Sequence, residues 1–139
     1  KHQCGKNNFS YVHGLYKNVA IDVEVKDFYE DPESQIEWAD FVVTRAGALS
    51  ISEISSMGKG MIMIPLPTSI DNHQFFNAKH IEDIKMGVIH LEKDGLNDLI
   101  EKMSEIINQK IYNDWKNGSS FDNSNAASLI SSKVVEHLT

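Results

Sequence analysis

The sequence predicts an α/β fold in which a Rossmann-like parallel sheet is flanked by helices. Three observations carry this. Short β-branched or apolar runs alternate with helical patterns, as in "DFVVT", "GMIMIPL" and "VIHL". Each run is separated from the next by a segment long enough for a crossover helix. The longest helical pattern, "LNDLIEKMSEIINQ", has a one-sided apolar stripe of Leu96, Leu99, Ile100, Met103, Ile106 and Ile107.

Taken in order, "VAIDVEV" (19–25) alternates like a strand. "PESQIEWA" (32–39) suits a short helix with Pro32 near its start, where a missing N–H costs nothing. "DFVVT" (40–44) reads as a buried strand, and "SISEISSM" (50–57) as a helix that Gly58 stops. There Ser50 and Glu53 have the spacing of a capping box. "GMIMIPL" (60–66) is a second buried strand closed by Pro65 and Pro67, followed by a helix over 71–86 that Gly87 ends. A strand over 88–91, a helix over 96–109, a polar loop over 116–124 and a last helix over 124–138 complete the series.

Length and composition bound the function. A chain of 139 residues fits one domain. Thirteen basic against twenty acidic residues give a net charge of −7, which argues against a nucleic-acid footprint. An anion can still bind locally at the amides of a helix start. Cys4 is the single cysteine, so no intrachain disulfide forms, which fits a reducing setting. No apolar run approaches the ~20 residues of a membrane helix. The chain opens at Lys1 without an initiator methionine, and the expectation is a fragment lacking its N-terminal part.

In parallel sheets ligands bind beyond the carboxyl ends of the strands, which directs attention to 26–31, 44–50 and 65–72. In "TRAGALSISE", Gly47 lets the backbone turn or approach a ligand, and Ala46 and Ala48 leave room beside it. The thinning of side chains serves either tight packing or the approach of a ligand, and the helix start suits a phosphate. In "PLPTSIDNHQFFNA", His73 and Asn77 are four apart, and imidazole and carboxamides can hydrogen-bond sugar hydroxyls. Asp71 as a helix cap is the plainer alternative. Helical geometry does not gather Asp71, His73 and His80 around a metal, and His13, His90 and His137 lack neighbours at ligand spacing. No catalytic triad is legible.

Taken together, "WADFVVTRAGALSISEI", "PLPTSIDNHQFFNA" and "HQCGKNNF" resemble the C-terminal domain of the MurG family. That family transfers N-acetylglucosamine (GlcNAc) from UDP-GlcNAc to lipid-linked N-acetylmuramyl-pentapeptide, turning lipid I into lipid II for peptidoglycan. The resemblance implies the C-terminal half of a GT-B glycosyltransferase, with residues 1–139 as the UDP-GlcNAc-binding domain. It implies that Arg45, Gly47, Ala48, Leu49 and Ser50 meet the diphosphate, that Glu53 accepts from the ribose hydroxyls, and that Tyr29 edges the uracil with its neighbour Phe28. His73, Gln74 and Asn77 would face the GlcNAc hydroxyls. It further implies no cofactor and no metal. An N-terminal domain outside this chain would hold the lipid I site, the catalytic group and the patch that docks on the cytoplasmic face of the bacterial inner membrane. The chain alone is then expected to be inactive. Two alternatives stand beside this: the catalytic subunit of a dolichol-pathway GlcNAc transferase, and a non-catalytic nucleotide-sugar-binding module.

Overall fold

The computed structural model describes residues 1–117, so the helix expected over 124–138 and most of the loop expected over 116–124 lie outside the described residues. The chain divides into two compact units, Lys1–Trp38 and a second beginning at Ala39.

In the first unit, β1 (His2–Gln3) and β2 (Val25–Lys26) pair in parallel, with His2 opposite Val25. The ladder continues as backbone bonds from Cys4 to Lys26 (2.9 Å) and from Gly5 to Asp27 (3.0 Å). The strand expected over 19–25 is therefore much shorter. Val19 and Ile21 are exposed, and pairing starts only where the His2 amide meets the Glu24 carbonyl. A helix the sequence did not announce, α1 (Phe9–Leu15), lies between the two strands in the chain. α2 (Pro32–Trp38) begins as expected at Pro32. Its start is held by Asp31, whose carboxylate accepts from the Ser34 amide at 3.0 Å and from the Ser34 hydroxyl. These bonds to the charged form hold the Asp31 carboxyl below the usual range.

The second unit is built on three parallel strands, β3 (Phe41–Thr44), β4 (Gly60–Met63) and β5 (Gly87–Ile89), in that spatial order. Phe41 stands opposite Gly60, and Met61 opposite Gly87. α3 (Ala48–Ser56) and α4 (His73–Asp83) are the crossovers. They pack on each other and bury Ile51, Ile54, Ala78 and Ile81. α5 (Gly95–Asn108) and α6 (Tyr112–Asn117) supply the other layer, where Ile62, Ile106 and Trp115 form a cluster flanked by Phe41, Val88, Leu99 and Met103. Of the six apolar residues in the expected α5 stripe, Leu99, Met103 and Ile106 join this cluster, whereas Leu96, Ile100 and Ile107 are exposed.

Three helices end in the same way. Gly58, Lys85 and Lys110 take left-handed φ values of 67°, 58° and 54°. The next residue in each case bonds back five positions, to the carbonyl of Ile54, Ile81 or Ile106. This is the Schellman turn. Gly58 thus stops α3 as expected, but Gly87 does not end α4. Lys85 occupies the left-handed position there, and Gly87 opens β5.

Gly87 is required for close approach. A Cβ added there would lie 2.3 Å from the Met61 carbonyl oxygen, and one added at Gly60 would lie 2.2 Å from the Trp115 ring and 2.6 Å from its Cβ. Gly60→Ala and Gly87→Ala are each expected to lower unfolding free energy by about 1–3 kcal/mol or more, as forced overpacking does. Chemical denaturation would show this as a lower midpoint at unchanged slope.

Candidate functional site

The carboxyl ends of β3, β4 and β5 bring together three loops: Arg45–Gly47, Ile64–Asn72 and His90–Asp94. Ala46 is fully buried, so one of the small residues here does serve packing. Gly47 does not. Its backbone is extended (φ −68°, ψ 140°), which any residue adopts, and a Cβ built on it meets nothing within 4 Å. The space in front of Gly47 is open to whatever comes from outside.

The helix start differs from the expected capping box. Gly47 is the N-cap of α3, its carbonyl accepting the Ile51 amide at 3.0 Å, and Ser50 lies inside the first turn. A capping box needs its hydroxyl at the N-cap position, and Ser50 lies within α3 rather than there, so the expected Ser50–Glu53 box does not form. No side chain caps α3, and Ala48, Leu49 and Ser50 are exposed. Their amides thus point their partial positive charge outward without an internal acceptor. Glu53 is exposed one turn further on, and its carboxylate has no partner among the described residues.

Facing this turn, Pro65 follows the end of β4, Pro67 sits inside a tight turn, and the chain makes two tight steps in succession. The Ser69 amide bonds to Leu66 and the Asn72 amide to Ser69, both at 3.1 Å. Asp71 and Asn72 take consecutive left-handed conformations (φ 50° and 56°), which Asp and Asn tolerate better than other side chains. Asn72 is the N-cap of α4 but makes no side-chain capping bond, so Asp71 is not the cap. Two carboxamides tie the loops down. The Gln74 Oε1 accepts the Leu66 amide at 2.9 Å, and the Asn77 Nδ2 donates to the Ala46 carbonyl at 3.2 Å. The other polar atom of each, the Gln74 Nε2 and the Asn77 Oδ1, has no partner among the described residues. His73 is exposed at the head of α4.

Arg45, which the resemblance places at the diphosphate, has partners of its own within the chain. Its Nη1 donates to the Glu92 carboxylate and to the Ile64 carbonyl at 3.4 Å. Glu92 lies in the loop after β5, a fourth strand end outside the 26–31, 44–50 and 65–72 loops to which the sequence directs attention. That loop also borders a groove of about 300 Å³ whose lining includes Pro65, Leu66, Phe75, Leu91, Glu92 and Lys93. Beneath it, His90 is buried, and its Nδ1 contacts the Asp98 carboxylate at 2.9 Å. An ionised carboxylate only accepts, so that ring nitrogen carries the proton.

Tyr29 belongs to the first unit. Its amide donates to the Gln3 Oε1 at 3.1 Å, and the Lys26 Nζ lies 5.3 Å from its ring. Burial, with the Glu24 carboxylate adding to it, pushes its hydroxyl up to about 12. Phe28 beside it is exposed.

A parallel α/β domain with an uncapped helix start and an open glycine at the carboxyl edge of its sheet belongs to the class of folds in which an anionic ligand can bind there. Comparison with known proteins narrows the class. Residues 1–132 match the glycosyltransferase family 28 C-terminal domain, and the chain belongs to that family. A Wolbachia relative (subsp. Drosophila simulans, strain wRi) is 41% identical over 107 residues, covering 76% of this chain and 31% of its own length. A Coxiella burnetii relative (strain Dugway 5J108-111) is 40% identical over 92 residues, covering 66% of this chain and 26% of its own. Both are called UDP-N-acetylglucosamine–N-acetylmuramyl-(pentapeptide) pyrophosphoryl-undecaprenol N-acetylglucosamine transferase. The chain thus spans about a third or less of the curated relatives it matches. The crystal structure of Acinetobacter baumannii MurG shares its fold, with a TM-score of 0.80 at 24% identity over 94% of this chain and 40% of that one. The expected α/β fold, a Rossmann-like parallel sheet flanked by helices as in the C-terminal half of a GT-B fold, is therefore correct.

The His90–Asp98–Lys102 cluster sets a pH dependence. Lys102, at 2.6 Å, and then His90 hold the Asp98 carboxyl below the usual range. A depressed folded pKa stabilises above the unfolded value of about 3.9 and is lost as pH falls through the folded value. Asp98→Asn is expected to flatten the loss of thermal stability below about pH 4, measured as melting temperature against pH.

Proposed function

We propose that this chain is the nucleotide-sugar donor domain of an N-acetylglucosaminyltransferase. The whole enzyme transfers GlcNAc from UDP-GlcNAc to undecaprenyl-pyrophosphoryl-N-acetylmuramyl-pentapeptide at the cytoplasmic face of the membrane. The observation that carries this is the open face of Gly47 before an uncapped α3, in a chain of this family. The donor diphosphate would lie against Gly47 and accept from the amides of Ala48, Leu49 and Ser50. The helix dipole would favour its charge, and that charge grows as UDP departs.

Glu53, exposed and without a side-chain partner among the described residues, matches a ribose cis-diol as a two-oxygen acceptor. The unused atoms of Gln74 and Asn77, with His73, suit the GlcNAc hydroxyls. In the reaction the acceptor hydroxyl oxygen bonds to the anomeric carbon as the bond from that carbon to the phosphate oxygen breaks. UDP leaves, and the hydroxyl proton passes to a base. No residue of this chain is assigned as that base. No helix among the described residues is long and apolar enough to cross a membrane.

Titration calorimetry tests the donor site directly. UDP is expected to bind the chain, and ADP to bind more weakly. Preference for ADP would sink the proposal. Glu53→Gln is expected to weaken UDP binding by about 2 kcal/mol, roughly 30-fold, because a charged hydrogen-bond acceptor is lost. With no capping box to disturb, the melting temperature should hold. Unchanged affinity would remove Glu53 from the site.

A further inference from the structure

Arg45 leaves the end of β3 and reaches across the carboxyl edge of the sheet. A single nitrogen, Nη1, makes both of its bonds, to the Ile64 carbonyl just past β4 and to the Glu92 carboxylate just past β5. The Nε and Nη2 groups have no partner among the described residues. The guanidinium is therefore pinned at one corner, with an adjacent two-donor edge left open. That edge is the geometry that grips a phosphate bidentately, which a lysine cannot reproduce.

Folding does not explain the pair. The Arg45 and Glu92 side chains are 52% and 44% exposed, and an ion pair that open contributes little to stability. A loose arginine, by contrast, loses rotamer freedom each time it meets a ligand. Glu92 removes much of that loss in advance.

We propose that Glu92 is a positioning residue. It holds Arg45 so that the free Nε–Nη2 edge meets the diphosphate of the donor. The proposal rests on the donor-site assignment above, and its sign makes it separable from simple electrostatics. Deleting a negative charge beside an anion site tightens anion binding if charge alone matters. Deleting a positioning residue weakens it.

The test measures UDP affinity by calorimetry for the chain, for Glu92→Ala, Glu92→Gln and Arg45→Ala, and for the Arg45→Ala/Glu92→Ala double variant. Glu92→Ala is expected to bind UDP about tenfold more weakly, which corresponds to about one hydrogen bond's worth of organisation. Glu92→Gln keeps an acceptor oxygen and should recover part of the loss. In the Arg45→Ala background, Glu92→Ala should cost nothing further, because the two residues act as one unit. Unchanged or tighter UDP binding by Glu92→Ala overturns the proposal while leaving the donor site standing. So does an equal loss in the Arg45→Ala background. Failure of the unmodified chain to bind UDP would take down the donor site and this proposal together. Melting temperatures establish that each variant is folded, and Glu92→Gln carries the comparison should Glu92→Ala be unstable.

Discussion

The central strand β4 is the constraint on which the second unit depends. All four residues of Gly60–Met63 are buried, with Met61, Ile62 and Met63 at 0% exposure. A strand with ladders on both edges and helices on both faces has no room for error in side-chain size. Pleating sends Met61 and Met63 to one side and Ile62 to the other. Ile62 meets Ile106 and Trp115, while the opposite side receives α3 and α4. The two glycines answer the same crowding: Gly60 lets the Trp115 ring down onto the strand, and Gly87 lets β5 close against Met61. Because the ladders are parallel and in register, the three carboxyl ends finish level with one another. That is what gathers Arg45, Ile64 and Glu92 from distant parts of the chain.

Local pattern revealed most of this unit. β3, β4 and β5, α3 and α4, and the stripe of α5 all show as apolar periodicity, because their burial is one-sided or complete. What escaped was set by partners far along the chain. Residues 19–25 alternate well enough for a strand, yet a strand exists only where another backbone completes its bonds, and His2–Gln3 offers two residues. The spacing of Ser50 and Glu53 is that of a capping box. Gly47 takes the cap position instead, its backbone extended and the helix beginning directly after it at Ala48. Trp115 and α6 were invisible until Gly60 gave them a surface. The Arg45–Glu92 pair joins residues 47 apart, beyond the reach of any spacing rule.

Charge illustrates the same separation of scales. The chain carries −7 overall, yet the ligand proposed for its candidate site is an anion. The resolution lies in peptide dipoles. They cost no formal charge and act within one turn of α3, where long-range repulsion is screened over about 10 Å. Arg45 adds direction more than net charge, since Glu92 neutralises it.

The three matched helix ends have a consequence of a different kind. Gly58 occupies the left-handed position without penalty, but Lys85 and Lys110 occupy the same geometry with a Cβ that crowds the neighbouring carbonyl, at roughly 1–2 kcal/mol each. Part of that is offset by placing an exposed ammonium at the negative end of a helix. The remainder is unspent margin. In a domain whose net stability is on the order of 10 kcal/mol, two such positions are a reserve on which later change can draw. Exchange of either lysine for glycine or asparagine relaxes the turn without touching the sheet edge. A lineage that acquired a costly alteration in its binding loops would find its compensation there, on the far side of α4 and α5 from the ligand.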